Sequence, residues 1–366
     1  MFKLEEQPMM LQGNFAPVDE IGEAIVISSI EGEIPEDFPE GLRFGKLNLE
    51  LNNTNVLQHA GKAYSIAENH MPYEINVSSL ETGKIWELKD AWDRPFTSHP
   101  KHDGLHQKDP KTGEMVMMGV NAMKPYYVVG IVSADGKKLV HKADINLQKN
   151  ALSHEIGVTE NYNIIFDYPL SVDLGRLLSG GTLIKYYNNK EARIGVMHRY
   201  GDAESVIWFK VKNHCTFHMI NSFEEGDEVV VIGCRASGSI VPGPDYGIDK
   251  QEWFRRAFKP PTTVTEDFDP SVDGIIFPRA YEWRLNMNTG TVEEGYLTGL
   301  DFALDFPVIN DTFMGIKNKY CYTQVLDTEQ SSDTGLSKYK MIAKLHLEER
   351  EKPLNKYGKV RVALGV

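Results

Sequence analysis

Short apolar, β-prone runs separated by glycine-containing turns occupy most of the chain from Asn55 onward. The runs include residues 115–120, 126–132 and 163–166, and the turns include residues 81–84, 134–137 and 288–291. Short strands with frequent glycine turns are typical of a propeller or a sandwich built from antiparallel sheets. Because little of this stretch has the periodicity of an amphipathic helix, we predict an all-β protein with a few short helices.

Residues 215–235 predict a β-hairpin that carries a histidine. Residues 215–223 and 229–233 are apolar runs, and the acidic residues between them surround one glycine. This pattern is typical of a tight turn between two strands, and His218 would lie on the first of them. A histidine on an apolar strand is more often a hydrogen-bonded core residue than a metal ligand, so His218 alone does not indicate a site.

Two further histidines, His99 and His154, stand where a loop leads into a strand-like run. The steps from His99 to His154 and from His154 to His218 are 55 and 64 residues. Each step is roughly one propeller blade, since the blades of such repeats take about 40–50 residues. Histidines delivered once per blade would converge on the propeller axis, where they could hold a metal ion.

Composition excludes several functional classes. The 366 residues carry a net charge of -13, which argues against a nucleic-acid partner because phosphate binding requires concentrated Lys and Arg. The chain has three cysteines, and an odd number without metal-finger spacing argues against a disulfide framework.

No stretch approaches the roughly 20 apolar residues that a membrane helix needs. Residues 1–7 do not resemble a signal or transit peptide, so the sequence as written predicts a cytoplasmic location, and a plastid location would need a leader.

Several longer motifs resemble those of the carotenoid cleavage dioxygenase family, most closely its plant branch and the zaxinone-synthase-like group. They are the contexts of the three histidines together with residues 13–18, 193–202 and 282–286. The resemblance implies a seven-bladed β-propeller that binds Fe(2+) through His99, His154 and His218. It also implies a dioxygenase that uses O2 to cleave a conjugated C=C bond of a carotenoid or apocarotenoid into two carbonyl products.

The resemblance also assigns residues around the metal. Glu68 and Glu282 match family positions whose carboxylates orient the ligand imidazoles, although each could be a plain surface carboxylate. Aromatic residues that flank the ligands or these carboxylates are candidates for lining a polyene tunnel, although residues of this type are more often core. They are Phe96, Phe166, Phe217 and Trp283.

Two departures from the family pattern bear on activity. Residues 1–41 resemble an arm, and the chain then passes directly to a segment that resembles the downstream end of a longer family section with a peripheral membrane contact. Residues 322–366 contain no counterpart of the family's final Gly-Phe-His-Gly motif, and we expect His346 to be solvent-exposed. We therefore predict an N-terminal arm, 1–41, and a single partial propeller domain, 42–366, in which residues 236–278 form a long excursion over one face.

Two functions remain open on the sequence. The first is an active iron dioxygenase, because three protein ligands suffice in known iron oxygenase sites. The second is a catalytically inactive truncated variant that binds a polyene or a full-length relative, which the missing fourth histidine favours.

Overall fold

Antiparallel sheets make up most of the part of the chain that the structure describes. The computed structural model describes residues 54–365, apart from residues 68–69, 87, 89–90, 93, 95, 103–111, 122–123, 148, 173–183, 188, 239–277, 299–302, 335–336 and 351–359. Within the described residues, five four-stranded sheets follow one another along the chain, and one two-stranded sheet accompanies the third of them. The predicted arm, the carboxylate of Glu68 and almost all of the predicted excursion lie outside these residues.

Each four-stranded sheet is formed by strands from one continuous section of the chain. The first sheet consists of β1 (Asn55–His59), β2 (Lys62–Ala67), β3 (His70–Ile75) and β4 (Thr82–Ile85). The second consists of β5 (Lys101–His102), β6 (Met115–Val120), β7 (Tyr127–Val132) and β8 (Leu139–Ile145). The third consists of β9 (Gly157–Val158), β10 (Tyr162–Asp167), β13 (Ala192–His198) and β14 (Ile207–Val211), and the two-stranded sheet of β11 (Leu170–Val172) and β12 (Ile184–Tyr186).

The last two sheets follow the same plan. The fourth consists of β15 (Met219–Glu225), β16 (Glu228–Arg235), β17 (Arg279–Asn286) and β18 (Val292–Tyr296). The fifth consists of β19 (Leu304–Val308), β20 (Tyr320–Leu326), β21 (Tyr339–Arg350) and β22 (Val360–Gly365). The described helical segments are short, and they are α1 (Thr328–Thr334) and the 3₁₀ turns Ala203–Ser205 and Asp311–Phe313.

Clusters of buried apolar side chains lie between successive sheets and stack them face to face. In β6, Met117 packs toward the first sheet and Met118 toward the third. In β16, Val231 packs toward the third sheet and Ile232 toward the fifth. Successive residues of a strand point to opposite faces, so both faces of these inner sheets are covered by neighbours. This explains why β7 is a continuous apolar run in which every residue is buried.

The number of blades corrects one expectation. Stacked four-stranded sheets confirm an all-β, propeller-like architecture with few helices, but the described residues form five blades where the resemblance implied the seven-bladed type. The five sheets extend from Asn55 to Gly365, which is roughly 60 residues per blade. Seven blades of that size would need more than the 366 residues of the chain.

The predicted hairpin between residues 215 and 235 is confirmed. Strands β15 and β16 pair in antiparallel register, and Glu225 faces Glu228 across a two-residue turn. Gly226, the first residue of that turn, has φ +62, a conformation that glycine adopts without a steric penalty. His218 lies one residue before β15 and not within it.

Two further features concern the cysteines and the membrane. All three cysteines are free thiols buried in the core. Burial raises the pKa of the Cys321 thiol to about 12. Among the described helices, none combines the length and the apolar character needed to cross a membrane.

Candidate metal centre

Each of the three predicted ligands stands just before the first strand of its sheet. His99 lies two residues before β5, His154 lies three residues before β9, and His218 lies immediately before β15. The same position in three successive sheets therefore supplies one imidazole each. This arrangement explains why the spacing of the histidines in the sequence follows the blades.

The three imidazoles meet in one cluster. Their ligand nitrogens all lie within 4.8 Å of one another, and the Nε2 atoms of His99 and His154 are 3.0 Å apart. Two nitrogens that bind one metal ion at about 2.1 Å each, with a right angle between the two bonds, are separated by about 3.0 Å. The structure thus brings the three predicted residues together at a spacing that suits a shared metal ion, and their role as ligands stays a prediction.

An aspartate that sequence reasoning missed orients one of these imidazoles. Asp305, on β19, places its Oδ1 2.8 Å from Nδ1 of His218. A carboxylate that accepts the Nδ1 proton fixes the ring tautomer and leaves Nε2 as the lone-pair nitrogen. The one signal in the sequence is a carboxylate within the otherwise apolar run of residues 304–308. Nothing in that signal indicates a contact with a residue 87 positions away.

Of the two carboxylates predicted from the resemblance, Glu282 is described, and it lies near an arginine. Glu282 is buried on β17, and its Oε1 lies 3.6 Å from Nη1 of Arg284. Arg284 also binds Glu225 and Glu228, which lie at the two ends of the β15–β16 turn. The expectation that Glu282 orients a ligand imidazole stays a prediction.

Two phenylalanine rings lie against the imidazoles. Phe217 stacks on His154 with ring centroids 4.9 Å apart and an interplanar angle of 18°, and Phe306 lies 4.8 Å from the ring of His218. Phe306 is exposed and has φ 51, an unusual backbone conformation for a bulky residue. Sequence reasoning predicted Phe217 but missed Phe306.

The other predicted lining residues occupy the apolar layers between sheets. Phe96 packs against Trp86, between the first and second sheets. Phe166 and Trp283 pack against each other, with ring centroids 5.6 Å apart, between the third and fourth sheets. These positions correspond to the core alternative that their residue types favoured.

Two other described histidines, His214 and His346, lie outside the cluster. His214 is fully buried among Phe166, Tyr168 and Trp283. Burial holds the pKa of His214 well below its usual value, and the charge of Arg235 lowers it further. The expectation that His346 is solvent-exposed is wrong, because it is 9% exposed and its Nδ1 binds Glu349.

Comparison with known proteins places these features in context. Residues 29–364 match the family model of RPE65, the retinal pigment epithelial membrane protein. The chain is 32% identical over 280 residues to a carotenoid 9,10(9',10')-cleavage dioxygenase of Crocus sativus, with 75% of this chain and 46% of the relative aligned. It is 26% identical over 282 residues to an isoeugenol monooxygenase of Pseudomonas putida, covering 75% of this chain and 53% of that protein.

A solved structure shares the fold. The lignostilbene dioxygenase of Pseudomonas brassicacearum superposes with a TM-score of 0.64 at 24% sequence identity, over 81% of this chain and 58% of that one. The chain spans about half the length of the curated relatives it matches.

Proposed function

The chain belongs to the RPE65 and carotenoid cleavage dioxygenase family, and on this premise we propose that it is a non-haem iron(II) dioxygenase that cleaves a conjugated C=C bond of a carotenoid or apocarotenoid. The observation that carries the proposal is the convergence of His99, His154 and His218 within 4.8 Å. The name of the Crocus sativus relative supports the substrate class. The isoeugenol monooxygenase supports a wider class of alkenes as a second substrate to test.

The donor set fits ferrous iron. Neutral imidazoles suit Fe(2+), and three protein ligands leave coordination positions for O2 and substrate. Bound iron would supply the activation of O2 toward the alkene. The described residues bring no fourth histidine to this group, so His99, His154 and His218 are the residues that would hold the ion.

The surrounding side chains prepare the site for an apolar substrate. Asp305 binds the Nδ1 side of the His218 ring, so Nε2 is the nitrogen that can bind the metal while the carboxylate orients the ring. The rings of Phe217 and Phe306 lie against two of the imidazoles. They present apolar faces beside the ligands, where a conjugated chain can pack and displace water.

Iron stoichiometry after anaerobic ferrous loading tests the proposal. The intact chain should bind about one iron, as three converging imidazoles require, and the His154→Ala variant should lose it. The exposed His198 lies at the end of β13, so His198→Ala is the matched control and should retain the metal. Loaded protein should then consume O2 and convert an apocarotenal into two carbonyl products, with isoeugenol assayed in parallel.

The outcomes separate the two functions left open by the sequence. A folded sample that binds no iron contradicts the proposal, as does a His154→Ala variant that binds it equally well. Stoichiometric iron without oxygen-dependent cleavage of either substrate would indicate the inactive variant that binds a polyene or a full-length relative.

A further inference from the structure

A buried carboxylate beside the histidine cluster is neither one of the proposed metal ligands nor Asp305, the carboxylate that binds His218. Glu155 follows His154 directly and is 4% exposed. Its Oε1 forms an ion pair with Nζ of Lys101, and its Oε2 accepts a hydrogen bond of 2.6 Å from the backbone N–H of Met219. Burying a carboxylate is costly unless it is paired and hydrogen-bonded, and here both of its oxygens have a partner.

These partners lie on the other two histidine segments. Lys101 comes two residues after His99, and Met219 comes immediately after His218. The backbone adds another link, because His99 and Glu155 form an isolated parallel bridge. One carboxylate therefore joins the segments that carry all three imidazoles, and these segments come from three different sheets.

The apolar clusters between sheets have no directional preference and do not fix this spacing. Directional bonds also join the third and fourth sheets further along the chain, such as the bond from Oγ of Ser222 to the carbonyl oxygen of Val158. The bonds of Glu155 differ because their partners stand within two residues of His99 and directly after His218. A change of a few tenths of an ångström there would move the imidazole nitrogens relative to one another.

We propose that Glu155 is a positioning residue that sets the separation of the metal-binding histidines, with Lys101 as its partner. This inference rests on the proposed metal site and adds a requirement for holding it. The alternative is that the pair acts on the ion only through its charges. The two explanations predict opposite signs for one variant, because Lys101→Met removes a positive charge and so favours a cation, yet it breaks the link between two histidine segments.

The experiment measures Co²⁺ affinity, with the visible absorption spectrum of the bound ion as a second readout of coordination. The variants are Glu155→Gln, Lys101→Met and the double variant, each first checked for native circular dichroism without metal. The control is Asp167→Asn. Its carboxylate pairs with Arg193 at 2.7 Å and joins β10 to β13 within the third sheet, so it removes a partly buried ion pair that links no histidine segment.

We expect Glu155→Gln and Lys101→Met each to weaken Co²⁺ binding about tenfold, the lower end of the range typical for residues that support metal ligands. The double variant should bind Co²⁺ as weakly as the single variants, although its two substitutions together leave the net charge unchanged. Its cobalt spectrum should shift. The control Asp167→Asn should bind Co²⁺ with the affinity of the parent. Tighter binding by Lys101→Met would overturn positioning in favour of a charge effect. Unchanged binding by all variants would also overturn it. If the parent itself binds no Co²⁺, the proposed metal site fails, and this result differs from a failure of the variants alone.

Discussion

The Nδ1 atom of His218 lies 2.8 Å from the Oδ1 atom of Asp305. The histidine belongs to the start of the fourth sheet, and the aspartate belongs to the first strand of the fifth. Together with the Glu155 contacts, this bond means that the geometry of the cluster depends on side chains from four successive sheets. The site is therefore a property of the stacking of the sheets and not of any one hairpin.

Removing the carboxylate of Asp305 should weaken the metal site. Asp305→Ala removes the carboxylate that orients the His218 ring and fixes its tautomer, and we expect metal affinity to fall about 10- to 100-fold. Asp305→Asn keeps an acceptor oxygen and should lose less. The exposed Asp227 lies in the β15–β16 turn, so Asp227→Ala serves as the control. Titration with Fe(2+) or Co²⁺ measures the effect, and an unchanged affinity in Asp305→Ala would contradict the assigned role.

The two kinds of phenylalanine near the site should respond differently to truncation. Phe166 is fully buried between sheets, so Phe166→Ala should lower the free energy of unfolding by about 3–5 kcal/mol. Phe217 is partly exposed and stacks on His154, so Phe217→Ala should cost less stability and instead raise KM for an apocarotenal. Urea unfolding and steady-state kinetics on both variants check this, and the assignment fails if Phe217→Ala changes stability but not KM.

A buried amide should hold the loop after β19 to β15, the strand that begins directly after His218. The Nδ2 group of Asn221, on β15, lies within hydrogen-bond distance of the carbonyl oxygens of Phe313 and Ile316 and of Oδ1 of Asn318. Its Oδ1 accepts from the backbone N–H of Gly315. Asn221→Ala removes the partner of two buried groups, the N–H of Gly315 and Oδ1 of Asn318, at about 1–3 kcal/mol for each, so we expect a loss of at least about 2 kcal/mol.

The test compares Asn221→Ala with Asn288→Ala in urea unfolding. Asn288 lies exposed in the turn between β17 and β18, and its substitution should change stability by no more than about 0.5 kcal/mol. Equal effects from the two substitutions would show that the network contributes nothing beyond a surface asparagine.

The hairpin and the three histidines could be predicted because their signals are local. Strand-length apolar runs around an acidic turn with Gly226 predict β15 and β16 without knowledge of the rest of the chain. The histidine spacing follows from the size of a blade, because each imidazole occupies the same place in successive sheets. Such patterns can be recognised in the sequence alone.

The contacts between sheets could not be predicted in this way. Asp305 and Glu155 find their partners 87, 54 and 64 residues away, across faces whose alignment depends on how the sheets stack. Phe166 and Trp283 are candidates for lining a tunnel because of their place in the sequence, whereas the structure puts them in the apolar layer between sheets that their residue type favours, since successive residues of a strand point to opposite faces. The number of blades could not be predicted because each sheet takes roughly 60 residues of the chain, more than the about 40–50 residues of a usual blade.

The buried His214 should make the protein less stable in mild acid. Burial and the charge of Arg235 hold its pKa well below the ordinary value, whereas in the unfolded chain a histidine titrates at about 6.5. Between these two values the unfolded state binds more protons, so stability is complete above pH 6.5 or so and falls as the pH drops below it. Burial lowers the pKa of His59 and His102 in the same direction. These two histidines are present in both proteins compared, so their contributions cancel.

The test compares the parent with His214→Phe in urea unfolding at pH 7.5 and pH 5.5, roughly one pH unit on either side of the unfolded pKa. We expect the urea midpoint of the parent to fall more between these pH values than the midpoint of His214→Phe. The phenylalanine fills the same aromatic surroundings and cannot bind a proton, so equal falls in the two proteins would show that His214 is not a source of the acid sensitivity.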